Sequence, residues 1–290
     1  MKKIVILMPV YNDWESLVKL LNEIDKIIED IKNFKFKCVI INDSSTFKKP
    51  HITKPRNLDS LKIINMKINR GHARCNAAGL RYIDSKENFD YLIVMDSDGE
   101  DRPIEIKDFI NKIIENQNSS IVAKRVKRSE GPVFKILYMV HKFITFIFTG
   151  KKINFGNFSC ITKQDVSFLK DKPSLWSSFS GSLKRNITNL SEINSTRGVR
   201  YFGPSKMSLV NLILHSFSII AVFKYSVFFR STIMIVVLFY LYEQAKIVSI
   251  TLQISLLLFN ILIFFISLRE NKKNLEKSTQ NILNEEEITH

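Results

Sequence analysis

Apolar and polar positions alternate in blocks along the first 125 or so residues. Residues 3–10 (KIVILMPV) are a short branched apolar run that meets a proline, the pattern of a buried strand. Asn12 or Asp13 can cap the helix that follows, in which Leu17, Leu20, Leu21, Ile24, Ile27, Ile28 and Ile31 recur on one face. Residues 37–42, 61–66, 91–95 and 120–123 read as further strands, and 71–83 and 104–115 as helices between them. Such alternation predicts an α/β fold with a mostly parallel sheet covered by helices on both faces. Ligands of such sheets bind beyond the carboxyl ends of the strands. Three polar clusters fall there: residues 11–13, 42–45 and 96–101.

The pattern changes at residue 133. Val133, Phe134, Ile136, Leu137, Met139, Val140, Phe143, Ile144 and Ile147 leave only a narrow polar stripe of Lys135, His141 and Lys142. A buried helix shows the same pattern, but basic and aromatic residues together favour an interfacial amphipathic helix over 133–149. Residues 207–223 are again apolar, broken by Asn211 and His215. Two apolar runs follow, 228–242 and 247–268, separated by the tetrad 243–246. The second is long enough to span a bilayer; the first is short unless its flanks extend it. Arg230 near its start can snorkel to headgroups. Arg269, Lys272, Lys273 and Lys277 come just after, so the positive-inside rule predicts a transmembrane hairpin with both ends cytoplasmic. A soluble buried hairpin is the alternative. The expected organisation is a catalytic domain over 1–193, a juxtamembrane segment over 194–227, the hairpin over 228–268 and a cytoplasmic polar tail over 269–290. Residues 271–290 are expected to fray.

Charge sharpens this picture. Lys and Arg outnumber Asp and Glu by 43 to 28, a net charge of +15 that suits an anionic partner. Beside an apolar C-terminal third, lipid and phosphate are favoured and nucleic acid is not. Cys38, Cys75 and Cys160 are odd in number and widely spaced, which excludes a disulfide framework and favours a reducing compartment. The first ten residues are too short an apolar run for a signal peptide, so the catalytic part is expected on the cytoplasmic face of the plasma (inner) membrane of a multi-pass protein. His51, His141 and His215 lie in separate elements and suggest no metal site, and His72 is as compatible with a surface position as with a diphosphate contact. No G-x-x-x-x-G-K-[ST] or G-x-G-x-x-G occurs, which removes the P-loop and Rossmann readings.

The chemistry concentrates in Asp96-Ser97-Asp98, which closes the strand 91–95. Residues i and i+2 of an extended chain share a face, so both carboxylates point from the carboxyl edge. Two carboxylates there need a cation, and hard oxygen ligands suit Mg²⁺ or Mn²⁺. Such a metal neutralises a diphosphate leaving group.

The order of motifs then matters. Pro9-Val10-Tyr11-Asn12 ends the first strand, Asn42-Asp43-Ser44-Ser45 ends the second, Asn69-Arg70-Gly71-His72 follows the third and Asp96–Pro103 the fourth. Over about residues 1–165 the chain resembles the family 2 glycosyltransferases of GT-A fold, with a P-x-Y-N strand end, a D-D-G-S-like turn and a DxD. The second turn lacks the first Asp and the Gly. The resemblance implies that Pro9, Tyr11, Asn12, Asp43, Gly71 and Asp96 hold the nucleotide of a nucleotide-sugar, and that Asp96 and Asp98 bind the metal.

A narrower resemblance is to the polyprenyl-phosphate glycosyltransferases, the branch that includes dolichol-phosphate mannose synthase. Asp96–Pro103 matches its D-A-D-x-Q-D/H-P-P stretch, with Glu100 in place of Gln and Arg102 in place of the first Pro. Ala123-Lys124-Arg125 stands where G-S-R is expected, and Phe155-Gly156-Asn157-Phe158 resembles a G-D-F-R segment with Asn157 replacing the acid and Ser159 the arginine. Residues 200–206 (RYFGPSK) resemble R-x-x-G-x-S-K. This resemblance implies an inverting transfer to an undecaprenyl- or dolichyl-type phosphate.

Between residues 124 and 152 there are eight Lys or Arg and one acid, Glu130. Attraction to anionic headgroups explains such a face. The sharper reading has Arg125, Arg128 and Lys135 grip the acceptor phosphate, with Ser205 and Lys206 of the later motif. A lipid phosphate is already anionic and needs no general base, whereas a sugar hydroxyl does. Hydroxyl-acceptor relatives carry a Glu-Asp pair downstream of the DxD, and residues 155–200 contain none; Asp165 and Asp171 are isolated. Asp101 or Glu100 remains available as a base. The expected catalytic set is Asp96, Asp98, Asp101 and Arg125. The rival readings are a hydroxyl-acceptor transferase in surface polysaccharide or glycolipid synthesis and a catalytically weak binding protein of the same fold. Self-association into a homo-oligomer is compatible with either.

Overall fold

The computed structural model describes residues 1–127, 132–204, 208–243 and 245–289. Its first half follows the expected alternation: β1 (Lys2–Val10), α1 (Trp14–Glu29), β2 (Phe34–Asn42), β3 (Ser60–Met66), α2 (His72–Lys86), β4 (Tyr91–Val94), α3 (Ile106–Glu115) and β5 (Ser120–Lys127). After α4 (Pro132–Thr149) come β6 (Phe155–Thr162), three short helices α5 (Lys163–Leu169), α6 (Ser174–Ser177) and α7 (Phe179–Asn186), and β7 (Leu190–Thr196). The apolar helices α8 (Leu209–Ala221), α9 (Lys224–Tyr240) and α10 (Lys246–Ser267) precede a short α11 (Lys272–Glu276) and a last strand, β8 (Ile282–Ile288).

All eight strands form one sheet in the order β7-β5-β6-β4-β1-β2-β3-β8. The pairings set six strands in one direction, with β6 and β8 running against them. The sheet is therefore mixed, and its parallel majority keeps one common carboxyl edge. Alternation along β1 divides the core: Val5 and Leu7 face α2 and the α5–α8 side, while Ile4, Ile6 and Met8 face α1 and α3. Helices thus cover both faces.

Two expectations are corrected at the ends of elements. Asp13 occupies the N-cap of α1 without accepting a cap hydrogen bond. Asn12, in the left-handed region at φ 53°, instead ties the next loop: its side-chain oxygen accepts from the backbone N–H groups of Thr46 at 2.8 Å and Phe47 at 2.9 Å. The tail expected to fray is ordered. β8 pairs antiparallel with β3, Glu285 accepts from Tyr82 at 2.8 Å and Asn65 donates to Glu286 at 2.6 Å. The sheet therefore extends beyond residue 193.

A third, smaller core joins α4, α8, α9 and α10 through Ile220, Ala221, Val227, Ile263 and Ile266, with Phe148 and Phe259 rings 4.4 Å apart. The outward faces of these helices stay apolar: Met139, Phe143, Phe229, Phe239, Ile247 and Leu258 are all more than half exposed. Among the described residues one helical stretch, Lys246–Glu276, is long and apolar enough to cross a membrane, with a mean hydropathy of 2.3. The stretch Val210–Ala221 and α9 meet that standard only as a pair, bent by 84°.

Candidate active site

The sequence-predicted clusters meet at the carboxyl edge, held by backbone geometry. Ser97 Oγ donates to Pro9 O at 2.7 Å, locking the end of β4 to the end of β1. Asp43 is 4% exposed, and its two carboxylate oxygens accept from the backbone N–H groups of Arg70 at 3.0 Å and Gly71 at 2.8 Å. Asp43 thus fixes the chain leading into α2. Gly71 is needed there for its φ of +87°, since a Cβ would find open space. Tyr11 is 40% exposed at the rim, where a flat ligand can stack.

Asp96, Asp98 and Asp101 converge below this rim. Asp96 Oδ1 lies 2.8 Å from His72 Nε2, and the Asp96 backbone N–H donates to Asp101 Oδ2 at 2.9 Å. Asn157 Nδ2 lies 3.5 Å from His72 Nδ1, so the residue in place of the family acid reaches the same cluster. Arg125 Nη2 stands 3.9 Å from Asp101 Oδ1, and its guanidinium lies against Gly156, where a Cβ would come within 2.6 Å of it. Asp98 Oδ1 accepts from the Glu100 N–H at 3.0 Å, and Asp98 Oδ2 accepts from Arg200 Nη1 at 2.6 Å.

Electrostatics follow from this crowding. Burial works against ionisation of Asp96, yet the charge and hydrogen bond of His72 hold its carboxyl well below the usual range. Burial, with Asp96 and Glu100 close by, pushes Asp98 up to about 6. Burial, with Asp96 next, pushes Asp101 up to about 8. Burial opposes protonation of His72, but Asp96 more than offsets it and raises the imidazole. Asp96 thus opposes the ionisation of both Asp98 and Asp101.

That mutual repulsion fits a divalent cation. Among the described residues no three His, Cys, Asp or Glu side chains converge to hold an ion by themselves. Two carboxylates completed by substrate phosphates and water are the usual donor set for Mg²⁺, and Asp96 and Asp98 are the two that would supply them.

A returning loop after β7 adds residues that pattern alone does not single out. Arg200 also bonds Asp13, and Arg197 bonds Glu100. The backbone N–H of Tyr201 donates to Asp98 O at 3.0 Å, and that of Gly198 donates to Glu100 O at 2.8 Å. The Tyr201 hydroxyl donates to Glu23 at 2.5 Å, and Lys19 Nζ sits 4.4 Å from the Tyr201 ring centre. The loop thus straps the Asp96–Asp101 turn to α1. Its only signal in the sequence is Arg200 at the head of the R-x-x-G-x-S-K-like stretch. His72, compatible with a surface place in the sequence, is half-buried against Asp96, and His215 of α8 comes within electrostatic reach of both His72 and His141. Arg128, Ser205 and Lys206 lie outside the described residues, as does the side chain of Lys135.

The model of the family described as Glycosyl transferase family 2 matches residues 5–172, more than half of the chain. The chain belongs to this family and is a glycosyltransferase. No curated protein matches it significantly. Among solved structures it is similar to S. aureus TarS 1–349 in complex with UDP-GlcNAc, at 15% identity and a TM-score of 0.52, over 96% of this chain and 90% of that one. It is also similar to glucosyl-3-phosphoglycerate synthase from Mycobacterium tuberculosis in complex with Mn²⁺, UDP and phosphoglyceric acid, at 10% identity and a TM-score of 0.53, over 78% of each chain. At these identities the likeness establishes the shared GT-A fold.

Proposed function

We propose that this glycosyltransferase takes a sugar from a nucleotide-sugar donor, with Mg²⁺ or Mn²⁺ at Asp96 and Asp98, and transfers it to a polyprenyl phosphate at the cytoplasmic face of a membrane. The observation that carries the reading is the crowding of the half-buried Asp96 and Asp98 with the buried Asp101, set at the sheet's carboxyl edge within reach of His72, Arg125 and Arg200. A bound divalent ion would offset the charge of the departing diphosphate. Pro9, Tyr11, Asn12, Asp43 and Gly71 form the nucleotide side: Tyr11 offers a stacking face, and Asp43 with Gly71 shapes the start of α2. The solved relatives were crystallised with UDP, UDP-GlcNAc and Mn²⁺, which supports the donor class.

The acceptor side is Arg125, joined in this proposal by Arg128, Lys135, Ser205 and Lys206. Arg125 leads along β5 toward α4, whose outer face is apolar. The hairpin over 228–268 remains the proposed membrane part, while the catalytic part proposed over 1–193 takes in the rest of β7 and, from the tail, β8. The tail's return supports a hairpin. β7 before α8 and β8 after α10 join one sheet, so a chain that crosses between them must come back. Both ends then lie on the side of the catalytic domain.

A second reading has one specific support. Asp101 is 4% exposed beside Asp96 and Arg125, where a base for a sugar hydroxyl would stand. Incubating membranes with labelled nucleotide-sugars, with and without chelator, and extracting with organic solvent tests the proposal. Label that enters the solvent only with metal supports it; label that stays in water-soluble glycan overturns it in favour of the hydroxyl acceptor.

A further inference from the structure

The loop after β7 is held to the catalytic turn by charge and close backbone approach, with little apolar packing of its own. Arg200 Nη1 donates to Asp98 Oδ2 at 2.6 Å, and Nη2 pairs with Asp13. The other Asp98 oxygen, Oδ1, accepts from the Glu100 N–H at 3.0 Å. Both oxygens of the carboxylate are thus engaged, one by a guanidinium and one by a backbone amide. Two glycines let the loop lie flat on the turn. A Cβ at Gly99 would come within 2.5 Å of the Tyr201 ring, and one at Gly198 within 2.5 Å of the Gly99 carbonyl oxygen. Val199 and Phe202 of the same loop are 75% and 44% exposed.

Asp98 is also one of the two proposed metal ligands, which sets two cations against each other. A divalent ion joining this carboxylate would stand beside the Arg200 guanidinium, and like charges that close repel. The Arg200 and Asp98 side chains are each only 15% exposed, so water and salt screen little of that repulsion. Arg200 keeps a second carboxylate, Asp13, to which it can retreat. There is also room for the loop to shift. A cavity of about 350 Å³ lies between the loop, α1 and the turn, with Glu23, Lys26, Arg102, Val199 and Tyr201 in its lining. A surface segment held by a few polar contacts opens at low cost.

We propose that Arg200 is an internal counter-ion of Asp98 that competes with the divalent metal, so that metal binding and the closed position of residues 197–204 oppose one another. When the ion takes Asp98, Arg200 moves onto Asp13 alone and the loop loosens over the gap between the ends of β1 and β4. When the ion leaves, Arg200 returns and closes that gap. Such coupling is reciprocal: the factor by which Arg200 weakens the metal is the factor by which the metal weakens the Arg200–Asp98 contact. The inference rests on the reading of Asp96 and Asp98 as metal ligands, and not on which acceptor the enzyme uses.

The test uses the full chain in neutral detergent, with Mn²⁺ alone as the probe and the variants Arg200→Gln and Asp98→Asn. The paramagnetic resonance signal of free Mn²⁺ reads binding, and hydrogen exchange at Gly198 and Tyr201 reports on the loop. The wild type should bind Mn²⁺. Asp98→Asn should bind it at least about tenfold more weakly and Arg200→Gln about ten- to hundredfold more tightly, the scale of one charge-assisted contact. Saturating Mn²⁺ should speed exchange at both amides in the wild type and add little in Arg200→Gln, where the loop is already loose. The wild-type exchange needs no variant, so it decides alone if Arg200→Gln does not fold. If the wild type takes up no Mn²⁺, or Asp98→Asn binds it as well, the metal reading fails and the inference falls with it. If binding needs Asp98 yet Arg200→Gln binds no tighter, or Mn²⁺ leaves loop exchange unchanged or slower, the inference alone is overturned.

Discussion

Arg200 Nη1 lies 2.6 Å from Asp98 Oδ2, and the same guanidinium also bonds Asp13. One side chain from the loop after β7 therefore closes the gap between the end of β1 and the end of β4. Arg200→Ala should leave the sheet intact but release residues 197–204, seen as faster hydrogen exchange at Gly198 and Tyr201. Turnover should fall about ten- to hundredfold, the scale of a lost charge-assisted contact. Arg200→Lys should recover little, since an ammonium cannot span two carboxylates as a planar fork does. Wild-type exchange in the alanine variant would remove the strap role.

Asp98→Asn keeps the shape of the turn and deletes the charge. Turnover should drop by roughly two to four orders of magnitude, the scale of a lost preorganised charge-stabilising group. Chelator should do the same to the wild type, with recovery on adding Mg²⁺ or Mn²⁺. Full activity in chelator would refute a metal at Asp96 and Asp98.

The β3–β8 pairing predicts a cost for trimming the tail. Deleting residues 278–290 removes the Tyr82–Glu285 and Asn65–Glu286 hydrogen bonds and bares the edge of β3. The thermal midpoint should fall by roughly 5 °C or more, as expected for a loss of about 2 kcal/mol in a domain of this size. An unchanged midpoint would make β8 an ornament of the sheet.

These residues also mark where sequence pattern stops being informative. β1, β2 and β4 are legible because they are buried on both faces and so read as unbroken apolar runs. β8 is not, because an edge strand written Ile-Leu-Asn-Glu-Glu-Glu-Ile pairs through its backbone and exposed carboxylates. β6 is buried yet holds Gly156, Asn157 and Ser159, whose polar atoms find partners locally: Ser159 Oγ donates to Asn157 O at 2.9 Å. The carboxylate cluster is legible because strand ends converge at one edge. Arg200 comes about 100 residues after Asp98 and is brought back by β7, a long-range placement that periodicity does not encode.

Glu87 gives a pH dependence outside the site. It is buried at the C-terminal end of α2 and accepts from Lys37 at 2.8 Å and Lys62 at 2.7 Å. Burial would raise its carboxyl, but the two ammonium groups outweigh burial and hold it below the ordinary value. A depressed folded-state value stabilises the fold above the unfolded value, near 4.3, and that contribution is lost as pH falls through the folded value. Glu87→Gln should thus cost about 1–2 kcal/mol at pH 7, discounted because both lysines are partly exposed. The gap between wild type and variant in melting temperature should narrow below about pH 4. A gap that stays constant to pH 3 would point to packing in place of charge.

Arg125 separates the two acceptor readings. Its guanidinium is 3.9 Å from Asp101 and lies against Gly156, so it faces the site from the β5 side, with β6 and β4 between β5 and the strands β1 and β2 that lead to Tyr11 and Asp43. If the acceptor is a lipid phosphate, Arg125→Ala should raise the acceptor KM about ten- to hundredfold while donor affinity, measured by calorimetry without acceptor, moves little. The product should partition into organic solvent and release its sugar in mild acid, as a glycosyl phosphate does. If the acceptor is a hydroxyl, the product resists mild acid, and Asp101→Asn then abolishes turnover while Arg125→Ala acts chiefly through its Asp101 partner. A product stable to mild acid, or an Arg125→Ala enzyme that loses donor binding and keeps acceptor use, ends the phosphate-acceptor assignment.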